Sequence, residues 1–353
     1  MRRVLALGLL VACSAPGPIP ELGEAERLEK SGDREGALRS YRAAQDSCQR
    51  IEDLRRRRAA CSEAHLGRAE LLVDLDRREE AARAFEETAA ALGADDPASA
   101  ARATLRAGQL RLDLGQDEPA YALLWRVVTD WPDEAFAGDA LVVLLRDGRA
   151  RDAAQLYDVL AQLHGRIGSS QLGDNLLYAM ADLAERERSD LALARSHLDR
   201  IPVDHPKSGL RDDSWWHAAR ISRALGDPEG AAVRLRALLA TREVAWGAGS
   251  YFSVWLDDAQ LELGRVLRDE LHRPAEAIDA FARLPRDYPA SVLKDDALWE
   301  RAVTLEATGD TAAACAALAE LATRYPDSKW ELGEAPARRQ RLGCKPAASA
   351  GPR

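Results

Sequence analysis

The chain has 353 residues, 46% hydrophobic and 30% charged, with a formal net charge of −9. An acidic balance of that size disfavours broad binding to nucleic acid or to anionic membranes. Beyond residue 11 no apolar run approaches the about 20 residues that a membrane-spanning helix requires.

The first residues have the order of an export signal. Arg2 and Arg3 give a basic start, residues 4–11 are apolar, and Ala12 is the small residue that precedes a cut. Leu10-Val11-Ala12-Cys13 resembles the lipobox of bacterial lipoproteins. That resemblance implies that Cys13 is diacylated and becomes the mature N-terminus, and the simpler alternative is an ordinary secretory signal with an incidental cysteine. Residues 1–12 are then a signal peptide and residues 13–22 a lipidated tether, flexible because residues 14–20 are Ser, Ala, Pro and Gly with one Ile. Loss of Arg2 and Arg3 takes the net charge from −9 to −11.

From residue 23 onward long 3.6-periodic segments alternate with short Gly/Asp/Pro turns, which predicts an all-α body. A spacing recurs along it. Ala25, Ala37, Tyr41 and Ala44 lie 12, 4 and 3 residues apart, with Gly32-Asp33 at the turn. Ala69, Ala81 and Phe85 repeat it, and Gly108, Ala120, Leu124, Val127 and Pro132 extend it by a step of 5. Weaker units centre on Gly148, Ala153 and Tyr157, and on Ala181, Ala194, Leu198, Ile201 and Pro206. Ala219, Ala231, Leu235 and Leu238 follow around Gly226-Asp227; Gly264, Ala277, Phe281, Leu284 and Pro289 carry one extra residue, placed in the turn. The clearest unit is Ala302, Ala314, Leu318, Leu321 and Pro326 around Gly309-Asp310.

This pattern resembles the tetratricopeptide repeat, in which small residues let two antiparallel helices approach, large ones fill the groove and Pro ends the second helix. The expected fold is an α-solenoid of about eight such helix pairs over residues 23–330, followed by a partly disordered tail, 331–353. Residues 206–213 and 289–296 match at Pro, Ser, Leu, a basic residue and two Asp, and Pro326-Asp327-Ser328 begins a third copy. The Asp pairs read as helix N-terminal carboxylates that cap and complement the dipole. The linkage is similar to that of envelope tetratricopeptide lipoproteins, including the one in the β-barrel assembly machinery, with the best match in 257–330. The resemblance implies partner binding on a concave groove and carries over no catalytic residue.

Four cysteines remain beside Cys13: Cys48, Cys61, Cys315 and Cys344. In an oxidising compartment they permit two disulfides with three connectivities, and proximity favours Cys48 with Cys61 and Cys315 with Cys344. Buried free thiols are the alternative. The six histidines, at 65, 164, 197, 205, 217 and 272, show neither HExxH nor a zinc spacing, and no GxSxG, Walker loop or strand-linked GxGxxG occurs. Lytic transglycosylases carry a helical superhelix, but their catalytic Glu sits in a separate globular domain for which these repeats leave no room. No cofactor or metal is expected.

Two stretches stand out. The run at residues 55–58, four arginines, is either a solvated helix face or a contact for lipid headgroups or an acidic partner. Residues 240–256 break the repeat rhythm and hold Trp246, Tyr251, Phe252 and Trp255 among small residues, either as a packed elbow or as a binding surface. With Trp215, which falls on a first helix as do Trp216 and Trp299, they are the candidate partner-binding residues. The expected function is a non-catalytic scaffold or adaptor, lipid-anchored in the bacterial cell envelope and facing the periplasm from the outer membrane, with other envelope proteins as partners. The alternatives are a solenoid that binds a small ligand or regulates a cell-wall enzyme and, third, an intrinsic enzyme.

Overall fold

The computed structural model describes residues 19–93, 95–242 and 253–345; Cys13, Trp246, Tyr251 and Phe252 lie outside them. Among the described residues every regular element is a helix. They fall into two units, one reaching Asp152 with residues 170–172 added, the other made of residues 153–169 and the chain from Gly173.

The first unit holds α1 (Pro20–Ser31), α2 (Arg34–Cys48), α3 (Leu54–Asp74), α4 (Arg78–Leu92), α5 (Pro97–Asp113), α6 (Asp117–Asp130) and the first limb of α7 (Ala135–Ile167). Helical geometry stops at Asp152, where φ is −160° and ψ 95°. The second unit holds the other limb of α7, then α8 (Gly173–Arg186), α9 (Leu191–Asp204), α10 (Arg211–Ala224), α11 (Pro228–Ala240), α12 (Leu256–Arg265) continued by a π-helical turn (Val266–Glu270), α13 (Pro274–Asp287), α14 (Lys294–Ala307), α15 (Thr311–Arg324), α16 (Lys329–Leu332) and α17 (Ala335–Leu342). Seven helix pairs are complete within a unit, and the limbs of α7 occupy the place of the eighth in chain order. The architecture is an all-α solenoid of helix pairs.

The turns follow from residue chemistry. Gly32, Gly226 and Gly309 end their helices at φ of 85°, 71° and 83°, a left-handed conformation that costs glycine little. The next residue, Asp33, Asp227 or Asp310, caps the second helix by accepting from the backbone N–H three residues on, at 2.8 to 3.0 Å. Trp131, His205, Tyr288 and Tyr325 close second helices with φ between −127° and −135° and ψ between 52° and 67°, outside the α region that a following proline disfavours.

The recurring small positions are the seam of each pair. Ala25, Ala37, Ala69, Ala81, Ala120, Ala231, Ala277, Ala302 and Ala314 are all fully buried. Gly264 faces the Phe281 ring so closely that a Cβ there would overlap it. At Gly108 a Cβ would stand 3.1 Å from the Leu124 side chain.

Three expectations need correction. The extra residue after Gly264 is absorbed in the helix as the π-helical turn, with Leu271 N–H bonding to the Val266 carbonyl five residues back, rather than in the loop. The tether read as 13–22 is already helical from Pro20, whose fixed φ suits the first turn. Helical packing also runs past residue 330: α17 packs with fully buried Ala335 against the last pair, while residues 346–353, the end of the partly disordered tail expected over 331–353, lie outside the described residues.

Candidate functional site

The aromatic residues of the second unit meet in two clusters of one design. Trp216 sits one helical turn after Asp213 on α10. Trp255, just before α12, stacks on Trp216 with centroids 5.2 Å apart and 11° between planes, and its indole N–H donates to Asp213. On α14, Trp299 follows Asp296 at the same spacing. Trp330 stacks on Trp299 at 4.8 Å and 11° and donates to Asp296 at 2.7 Å. Trp255 is therefore engaged within the chain, at the junction of one repeat unit with the next, and Trp215 is half-buried against the same core beneath the Arg211 guanidinium. The Asp pairs lie in the first turns of α10 and α14 as expected, but Asp213 and Asp296 serve mainly as acceptors for these indoles. Sequence reasoning missed that role; its signal is an Asp followed three residues later by Trp and again by Trp at the next linkage.

The first helices of successive pairs are joined by charges. His217 meets Glu185 at 2.6 Å, Arg223 reaches Glu262 and Glu270, and Arg265 and Arg268 converge on Glu300 at 3.0 and 2.5 Å. Hydrogen bonds that it donates to Asp269 and then Glu300 hold the Arg268 guanidinium charged more firmly than usual, against the effect of burial. Burial, helped by Asp257 and Glu262, raises the Asp258 carboxyl. This face is thus largely self-neutralised.

A cleft of about 740 Å³ opens between α11 and α13 above α12. Leu239, Leu263 and Leu267 give it an apolar floor. Its rim carries three arginines, each already engaged: Arg236 with Glu276 at 2.8 Å, Arg283 with Asp279 at 2.7 Å, and Arg242 above the Tyr288 ring at 5.2 Å. Such a surface suits an apolar side chain flanked by polar backbone, because its carboxylates and guanidinia can re-pair with either peptide polarity. Among the described residues no group of three His, Cys, Asp or Glu can hold a metal ion.

The family model described as tetratricopeptide repeat matches residues 258–291 and 296–328. Two tetratricopeptide repeats therefore occupy this part of the chain. Solved structures similar to the chain include PilW, a type IV pilus biogenesis factor, at 15% identity over 77% of this chain and 96% of that one, with a TM-score of 0.35. PilF of Pseudomonas aeruginosa follows at 16%, covering 66% and 95%, with 0.36. YrrB, a repeat protein with an unusual peptide-binding site, stands at 14%, covering 66% and 90%, with 0.34. Scores of this size carry no argument about partners. Among curated proteins no sequence matches.

The two matched repeats are α12 to α15, with the cleft beside the first and the Trp299 cluster within the second. The second ends in a clasp, where Cys315 of α15 is bonded to Cys344 after α17, Cα atoms 5.3 Å apart. In the first unit Cys48, at the end of α2, is bonded to Cys61 on α3 at 5.2 Å. His197, 8% exposed, shares a 2.8 Å hydrogen bond with Tyr157 while its Nδ1 has no partner; burial first, then Arg200 and His164, lowers its pKa to about 4. That is the pattern of a neutral packing histidine.

Proposed function

We propose that the protein is a non-catalytic scaffold or adaptor, held by lipid on Cys13 in the bacterial cell envelope and facing the periplasm from the outer membrane, with other envelope proteins as its partners. The observation that carries this reading is the cleft beside the matched repeats: an apolar floor and an exchangeable ionic rim, a surface for holding a polypeptide. The lipobox-like Leu10-Val11-Ala12-Cys13 supports the anchor, and two disulfides support an oxidising compartment.

A photo-crosslinking residue placed at Ala240 or at Ala275, both on the cleft, is expected to capture discrete partners in the native host. The same residue at Val203, exposed on α9 away from the cleft, is the control. Identical products from all three positions, or none from the cleft, count against the reading. The anchor is tested separately, by membrane fractionation of Cys13→Ser.

A further inference from the structure

One end of the first unit carries a run of exposed arginines. The start of α1, the end of α2 and the start of α3 meet there: the Ser47 hydroxyl donates to Glu21 at 2.6 Å, and Ile19 and Ile51 pack on one core. The Cys48–Cys61 bond closes the loop between α2 and α3. Most arginines of the protein are ion-paired, but Arg55, Arg56 and Arg58 are exposed and make no side-chain hydrogen bond or ion pair among the described residues; their neighbour Arg57 reaches Asp95 at 4.0 Å. Leu54 beside them is 66% exposed.

The placement runs against helix stability. α3 is capped by Asp53, which accepts from the Arg56 backbone N–H at 2.7 Å, but the turn that follows, where the dipole favours anions, is filled with cations. Glu52, Asp53, Asp95 and Asp96 lie near the run, yet a net-acidic protein that leaves three exposed guanidinium groups unbridged on a cross-linked loop presents them to an anion outside its own fold. The position of the chain's start names the use. Ile19 lies six steps along the chain from Cys13, and six steps extend at most about 20 Å. An acyl chain on Cys13 would bring this end of the unit, more than any other, up to the headgroups.

We propose that the disulfide-closed end of the first unit docks on an anionic phospholipid surface, with headgroup phosphates facing Arg55, Arg56 and Arg58 and Leu54 entering between them. The orientation rests on the anchor reading above; the docking is tested without the anchor.

The full chain carrying Cys13→Ser is sedimented with vesicles of phosphatidylcholine alone and of phosphatidylcholine mixed with phosphatidylglycerol. Residues 1–12 contribute equally to every chain compared, and the neutral vesicles report their apolar share. Binding to the anionic vesicles is expected, weakened by salt. Arg55→Gln, Arg56→Gln and Arg58→Gln together should weaken it on the order of a hundredfold, about fivefold per arginine. The melting temperature of that variant should be unchanged or raised, because the first turn of α3 loses its opposed charges. Equal binding to both vesicles, a triple variant that binds like its parent, or binding to polyglutamate but not to vesicles would overturn the proposal. Absence of acyl mass on wild-type Cys13 would remove the anchor and leave the vesicle result standing.

Discussion

Trp330 lies flat on Trp299, ring centroids 4.8 Å apart, with its indole N–H on the Asp296 carboxylate at 2.7 Å. Trp299 is 4% exposed, so Trp330 acts as its lid. Trp330→Ala should cost about 2 to 3 kcal/mol, combining partial loss of buried aromatic area with a stacked pair worth about 1 kcal/mol. Trp330→Phe keeps the stack and loses only the hydrogen bond, about 1 kcal/mol. Hydrogen exchange of α14 and α15 amides reads the local difference.

Gly264 and Gly23 should answer oppositely to the same change. Gly264→Ala forces a Cβ into the Phe281 ring, and overpacking of this kind costs about 1 to 3 kcal/mol, outweighing the gain in helix propensity. Gly23, on α1, has nothing within 4 Å of a Cβ, so Gly23→Ala should stabilise by about 0.5 to 1 kcal/mol. Urea titrations of the two variants decide the sign of each.

The two disulfides differ in the loops they close. Cys315–Cys344 spans 29 residues and Cys48–Cys61 spans 13. Loop-closure entropy then predicts a loss of about 3.5 kcal/mol when the first is replaced by alanines and about 3 kcal/mol for the second. The Cys315→Ala, Cys344→Ala pair should also raise exchange in α17, while the other pair should not.

His197 makes stability depend on pH in one direction. Its folded pKa, about 4, lies below the ordinary 6.5, so the unfolded chain binds the extra proton between those values. The protein should be unaffected above pH 6.5 and lose on the order of 2 kcal/mol as pH falls towards 4. His164, also held low by burial, adds in the same direction. His197→Gln should flatten the slope measured by thermal unfolding across that range.

The repeat seam was readable because helix geometry makes it periodic: a small residue facing its partner must recur at fixed steps, and Ala302, Ala314, Leu318 and Leu321 are all buried on that schedule. The Gly-Asp turns were readable for the same local reason. What fails to show is whatever a fixed residue count can satisfy in two ways. Both Gly264 to Ala277 and Ala181 to Ala194 are one residue longer than the rule, and both take the surplus at the end of the first helix, where Leu271 and Arg188 bond to carbonyls five residues back before His272 and Ser189 turn at φ of 53° and 51°. The Trp–Asp junctions were missed because their partners stand 34 and 42 residues apart, beyond any helical period. Trp255 looked like a feature of residues 240–256, yet its partners lie on α10.

Asp152, a single residue out of helical geometry, falls where the chain divides into its two compact units. Repeat arrays fold from whichever neighbouring units first bury a joint core, so such a chain has two independent places to begin. During synthesis, the part up to Asp152 is expected to be complete while the remainder is still being made, and a premature stop shortly after Asp152 should yield a compact, protease-resistant product.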